Sequence, residues 1–252
     1  MSKVSTINRS GNTCFRNLAA SAFAKKFNLY IEYENSNFFD ELGFKLFCGE
    51  KKYDKMVIVT DKNYLELYEQ NSIDFNCDFK DYYQSTRISH ISHEHLKEQM
   101  DSIVSNNKYR NNYNSNSCFL HIRLGDVARY NPGFRYYDHV LSKLQVDAIY
   151  LSTDSVNHEV INNLIQKYPN IQILNYSLSD IILFGSTNKH IVLSHGTFSG
   201  IIGYMAFYSN VYFVKESKQT AWDYLNGNGK FDIFKGHSST IGEFEEIDTE
   251  KL

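Results

Sequence analysis

The chain has 252 residues, enough for one large domain or two of roughly 100 to 150 residues each. With 42% hydrophobic and 22% charged residues it reads as globular, and a net charge of −3 gives no basic field for wrapping nucleic acid. A small anionic ligand would have to be met by local positive charge.

The opening MSKVSTINRSGN has no apolar run of signal-peptide length, and no later segment approaches the run of about eighteen apolar residues that a membrane span needs. A cytoplasmic protein without a membrane span is expected, of a bacterium or of a host cell if the source is a large DNA virus. Cys14, Cys48, Cys77 and Cys118 lie far apart with no CxxC pair. That spacing suggests buried thiols rather than a zinc site or a disulfide framework.

In chain order, KVSTIN predicts a short strand and GNTCFRNLAASAFAKKFN a helix, with Phe15, Leu18, Ala19, Ala22, Phe23 and Phe27 at helical spacing. NLYIEYE alternates like a strand, which completes a βαβ unit. DKMVIVT predicts a buried strand and HEHLKEQMDSIVSN a helix. The Asn- and Ser-rich tract over 105–117 predicts a linker or exposed loop. A regular series follows: strand SCFLHIRL, helix RYYDHVLSKL, strand DAIYLST, helix NHEVINNLIQKY, strand NIQILN, short helix SDIILFGST, strand HIVLS, helix TFSGIIGYMAFYS and strand NVYFVKE. After it, Trp222 marks a closing helix or loop, and GEFEEIDTEKL predicts a frayed acidic end. Strands alternating with helices twice over predict two α/β halves, one over 1–112 and one over 113–252, with 220–252 able to pack back on the first. Ligands of such parallel sheets gather at the carboxyl ends of the strands.

The candidate site residues follow from that rule. Alternation in SCFLHIRL sends His121 and Arg123 the same way, and Gly125 lets the chain turn. An arginine there can grip a phosphate with its fork of donors, although an edge strand with a solvated arginine fits those residues equally well. Ser152, Thr153 and Asp154 end the next strand as candidates for hydrogen-bonding a ribose or base, or as helix caps. Ser194, His195, Gly196, Thr197, Phe198 and Ser199 lead from a buried strand into an apolar helix, an arrangement that suits either a phosphate site or capping. His90, His93 and His95 are spaced three and then two apart, which does not put all three on one helical face and argues against zinc. Arg129 and Arg135 flank a Gly- and Pro-containing loop, as phosphate or acceptor contacts or as solvated charges.

Taken together, the motifs resemble those of the α-1,2-fucosyltransferases and their wider relatives. RSGNTCFRNLAASAFAKKF is similar to that family's GLGNQMFQ and alanine-rich helix, matching at Gly11, Asn12 and Phe15. HIRLGD is similar to HxRRGD, with Tyr136 and Tyr137 echoing a tyrosine pair; LSTDS is similar to FSDD, and SHGTFSGIIGYMAF to NSTFSWWGAWL. The second motif arginine is Leu124 here, and the two tryptophans are Gly200 and Ile201. The resemblance spans roughly residues 7–215.

It implies a GT-B-like α/β fold of two Rossmann-like domains with parallel sheets facing a central cleft, the first on the acceptor side and the second binding a nucleotide sugar. It implies an inverting, metal-independent transfer of fucose from GDP-fucose to a glycan hydroxyl, in which GDP-fucose is a substrate and no cofactor is needed. Arg123 would clamp the leaving diphosphate, with Asp126 a candidate base and His121 an orienting or nucleotide-contacting group. Gly11, Asn12, Ser152, Thr153, Asp154, His195, Gly196, Thr197, Phe198 and Ser199 would line the donor site. The absence of a DxD pair from the sequence leaves a bridging metal without an obvious carboxylate seat. The partners expected are a nucleotide-sugar donor and a glycan or glycoconjugate acceptor, with no nucleic acid. A transferase of another nucleotide sugar and a non-catalytic sugar-nucleotide or glycan-binding module are the alternatives. A nicotinamide dehydrogenase is disfavoured because a lone SGN stands where GxGxxG would be.

Overall fold

The computed structural model describes residues 1–4, 10–34, 36–126, 128–215 and 242–252. The chain forms two compact units, a first over Met1–Asn106 and a second that begins at Asn107. Among the described residues no helix is long and apolar enough to cross a membrane.

The first unit opens with the expected βαβ: β1 Ser2–Val4, α1 Ser10–Phe27 and β2 Ile31–Tyr33, with β1 and β2 parallel and Ser2 opposite Ile31. Next come α2 Ser36–Glu41, β3 Met56–Val59, α3 Tyr64–Tyr68, β4 Asn76–Phe79, α4 Thr86–Lys97 and α5 Met100–Asn106. The sheet order is β2-β1-β4-β3, parallel throughout. Helix α1 is buried on every face from Asn12 to Ala24, so it carries its apolar residues all round rather than in one stripe. Phe23 is its anchor, packing at 4.8 Å from Phe27, 5.7 Å from Tyr64 and 5.6 Å from Phe79 between ring centroids.

Two expectations are corrected here, and one strand appears that was not expected. DKMVIVT forms the edge strand β3 rather than a buried one, and Met56 and Ile58 face solvent. Its neighbour β4 has no apolar pattern to announce it: Asn76 is buried in a strand because its amide bonds the Tyr53 backbone in both directions, accepting from Tyr53 N at 3.1 Å and donating to Tyr53 O. The helix expected over 93–106 starts earlier and is broken. Its two pieces are separated by Glu98 and Gln99, and the Gln99 side chain accepts from Lys45 N at 3.0 Å and donates to Lys45 O at 2.9 Å.

Helices α1 and α4 run parallel, stitched by Gln84 Nε2 donating to Asn12 Oδ1 at 3.0 Å, by Ser21 Oγ with His95 Nε2 at 2.8 Å and by Lys25 with Glu98 at 2.6 Å. His95 also shares a 3.0 Å hydrogen bond with Glu98 through Nδ1, and burial lowers its pKa.

The second unit holds a 3-10 turn at Arg110–Asn114, then β5 Ser117–Ile122, a 3-10 turn at Ala128–Tyr130, α6 Phe134–Leu141, β6 Ala148–Thr153, α7 Glu159–Lys167 and β7 Ile171–Ile173. It continues with α8 Leu178–Gly185, β8 His190–Leu193, α9 Thr197–Tyr204, β9 Asn210–Val214 and β10 Phe244–Ile247. Among the described residues its six strands are all parallel, in the order β10-β9-β8-β5-β6-β7. The first three strands run outward one way and the next three the other, which is the doubly wound dinucleotide-binding order. The direction reverses between β5 and β8, and the carboxyl ends of those two strands are where sheets of this order bind their ligands.

Two further corrections belong to this unit. The polar tract is not simply an exposed loop: Asn107 is buried and donates from Nδ2 to Leu183 O at 3.0 Å, and Ser117 is buried with Oγ donating to Asn188 Oδ1 at 2.7 Å. The acidic end is not frayed over 244–247, where FEEI adds β10 to the sheet and places Ile247 in the core. Trp222, the segment around it and residues 5–8 of the first predicted strand lie outside the described residues.

Truncating Phe23→Ala should remove about 3–5 kcal/mol from the first unit. Met56→Ala on the exposed edge should be close to neutral. Midpoints of urea unfolding with unchanged slopes would read both.

Candidate functional site

Strand β5 is buried along its whole length and ends at Ile122. His121 is therefore still inside the sheet while Arg123 is the first residue beyond it, and both side chains lie beside α9, His121 against Ser199 and Arg123 against Gly196. The chain leaving β5 needs partners for its N–H groups, and both neighbouring strands supply them from side chains. Arg123 N donates to Ser194 Oγ, just past β8, at 3.0 Å. Leu124 N and Gly125 N both donate to Asp154 Oδ1, just past β6, at 2.7 and 3.1 Å. From the following loop, Asn131 Nδ2 donates to Arg123 O at 3.0 Å and to Tyr137 Oη at 2.9 Å, while its Oδ1 accepts from Gly133 N at 2.9 Å. Asn131 carries this support without having been singled out; its position in Asn-Pro-Gly is the one local signal for it.

The Arg123 side chain is about a quarter exposed, at 26%. Its Nη2 donates to Asp126 Oδ1 at 2.8 Å; its Nε stands 3.8 Å from Asp154 Oδ2 and makes no hydrogen bond. The aliphatic stem passes Gly196, where a Cβ would lie 3.9 Å from Arg123 Cδ. Gly196 has φ +108°, a backbone conformation that side chains rarely adopt, and it is the residue from which α9 starts. The guanidinium and the N-terminal end of α9 thus bring positive potential to one place.

Beneath them, His121 Nδ1 and Ser199 Oγ share a hydrogen bond at 2.7 Å, and the His121 ring lies 5.2 Å from that of Phe198. Thr197, Phe198 and Ser199 are all buried. Burial pushes the His121 imidazole down to about 4, helped by the Arg123 cation and opposed by Asp154. Burial alone does the same to His195, also to about 4.

The other sequence-predicted residues are placed as follows. Ser152 and Thr153 end β6 opposite His121 and Ile122, and Thr153 Oγ1 accepts from Ser155 N at 3.2 Å. Tyr136 and Tyr137 are fully buried in α6, with Tyr136 Oη donating to Leu193 O at 2.9 Å, so both serve the core beneath the site. Arg129 lies over the Tyr130 ring at 4.6 Å. Gly11 and Asn12 stand in the first turn of α1, in the first unit. The structure therefore brings His121, Arg123, Asp126, Asp154, Gly196 and Ser199 together at the β5/β8 switch point.

No protein-family model matches the chain, and no curated protein does. Among solved structures it is similar to an E. coli heptosyltransferase, WaaC with ADP, at a TM-score of 0.52 and 10% identity over 98% of this chain and 93% of that one. The same enzyme with ADP-2-deoxy-2-fluoro heptose gives a TM-score of 0.50 and 11% identity over 96% and 92%. At such identity the likeness is one of fold: an α/β chain with two parallel sheets, matching these GT-B proteins.

The histidines make the second unit acid-sensitive. Their folded pKa values lie below the ordinary value of 6.5, so the unfolded chain takes up protons first and stability falls as pH drops from about 6.5 towards 4. At pH 5 each should cost about 2 kcal/mol. Thermal unfolding from pH 7.5 to 4.5 should show that loss, with a flatter profile in His121→Gln.

Proposed function

We propose that the protein is an inverting glycosyltransferase that holds a nucleotide-diphosphate sugar on its second unit and a glycan acceptor on its first, with GDP-fucose as the donor. The observation that carries the reading is Arg123 held over the start of α9 at the β5/β8 switch point, where a diphosphate meets a guanidinium fork and helix N–H groups together. The GT-B-like fold supports the reaction class. The motif set from Gly11 to Ser199 supports the fucosyl donor. Three of its departures from the family pattern fall in the interior: Leu124 is in the core, and Gly200 and Ile201 are buried within α9. The Leu124 departure takes one cation out of the motif, while Arg123 keeps its place beside the start of α9.

In the reaction the acceptor oxygen forms its bond to the sugar carbon as the bond from that carbon to the diphosphate oxygen breaks, and the electron pair leaves with the diphosphate. Arg123 and the α9 N–H groups meet the charge that grows there. The acceptor proton is taken on the opposite face of the sugar. Asp126, paired with Arg123 at 2.8 Å, stands on the leaving-group side and shares the guanidinium with the phosphates, which disfavours it as the base. His121 is tied to Ser199 and so braces the turn of α9 that faces the phosphates.

Calorimetric titration with GDP, UDP and CMP, run on the parent and on Arg123→Ala, tests the reading. GDP alone should bind, and the variant should lose that binding together with a factor on the order of 100 in transfer rate. A preference for UDP or CMP would move the donor assignment, and absence of nucleotide binding would overturn the transferase. Once transfer from GDP-fucose is measured, a chelator should leave the rate unchanged.

A further inference from the structure

We infer that Asp154 is a positioning residue, which aims Arg123 and fixes the turn that carries it instead of touching the nucleotide. The inference rests on the reading of the second unit as a nucleotide-sugar site. Both carboxylate oxygens of Asp154 face the Arg123–Gly125 segment. Oδ1 takes the N–H groups of Leu124 and Gly125, at 2.7 and 3.1 Å. Oδ2 stands 3.8 Å from Arg123 Nε, the guanidinium nitrogen left without a hydrogen bond.

The fit is close on the remaining side as well. A Cβ at Gly125 would come within 2.9 Å of Asp154 Oδ2, so the glycine lets the carboxylate lie directly against the turn. One acid from the end of β6 thus anchors three consecutive residues beyond the end of β5. An arginine side chain has several rotatable bonds, and a diphosphate clamp needs its fork held in one orientation before the ligand arrives. Asp126 holds the outer nitrogen Nη2, and Asp154 lies beside the inner one, so the two acids bracket the guanidinium along its length.

Side-chain chemistry separates aim from contact. Asp154→Asn keeps one carbonyl oxygen for the two backbone N–H groups and removes the charge opposite Nε. The nucleotide that the panel titration identifies is the probe. Asp154→Asn should melt close to the parent yet bind that nucleotide about tenfold more weakly and lower kcat for transfer. Combined with Arg123→Ala it should add nothing to that variant's loss of transfer rate, the quantity in which the cycle is read, because its effect passes through the arginine. The 2′-deoxy form of the nucleotide should show the same tenfold loss.

The inference is overturned if Asp154→Asn binds as the parent does, if its loss persists in full on top of Arg123→Ala, or if the loss disappears with the 2′-deoxy nucleotide, which would mark a direct ribose contact. Should Asp154→Asn fail to fold, Gly125→Ala carries the same cycle, since its methyl group displaces Oδ2. Its loss should likewise vanish with Arg123→Ala, and persistence would overturn the inference. A parent that binds no nucleotide sinks the functional reading, whereas a parent that binds with additive variants sinks the positioning role alone.

Discussion

A strand that leaves a parallel sheet at a switch point loses both neighbours at once, because the chains beside it turn away in opposite directions. Its next backbone N–H groups must then find other acceptors. Here three successive groups, those of Arg123, Leu124 and Gly125, are met by Ser194 from one side and Asp154 from the other. The two flanking strands thereby hold the tip of β5 between them. Arg123 owes its place to that closure, and so does the approach of its stem to Gly196 at the start of α9.

The layer underneath is built to keep the closure rigid. Tyr136 and Tyr137 pack with centroids 4.9 Å apart, Tyr136 reaching the β8 backbone and Tyr137 reaching Asn131, which in turn holds the Arg123 carbonyl. Leu124 points into the same core while its neighbour Arg123 points out. An apolar residue beside the arginine therefore does a different task from a second cation: it pins the turn from below. The first unit uses another device. Its central helix is surrounded on all sides, and polar stitches to α4 fix how two parallel helices slide against each other.

Much of this architecture is legible in the sequence because it depends on local pattern. The alternation of apolar strands and amphipathic helices after residue 117 gives nine of the elements of the second unit in order. The arginine beyond a buried strand and the small residues opening α9 are legible for the same reason. What stays hidden depends on partners far along the chain. Asn76 looks unsuited to a strand until Tyr53 satisfies its amide, 23 residues away. Asp154 looks like a free acid after a strand until it meets the 124–125 turn, and His121 and Ser199 are 78 positions apart. The strand FEEI is hidden by its charge, since at an edge Glu245 and Glu246 stay exposed and Ile247 alone is buried.

The position of β10 has a consequence for synthesis on the ribosome. The sheet of the first unit has all four of its strands once Phe79 has emerged, but the second sheet lacks its outer parallel strand until Ile247 is made. At ordinary elongation rates the interval is on the order of ten seconds or more. From the completion of β9 at Val214 to that of β10 at Ile247, roughly two to seven seconds at the same rates, β9 is an unpaired parallel edge open to wrong partners, and residues 244–247 are the segment that closes it.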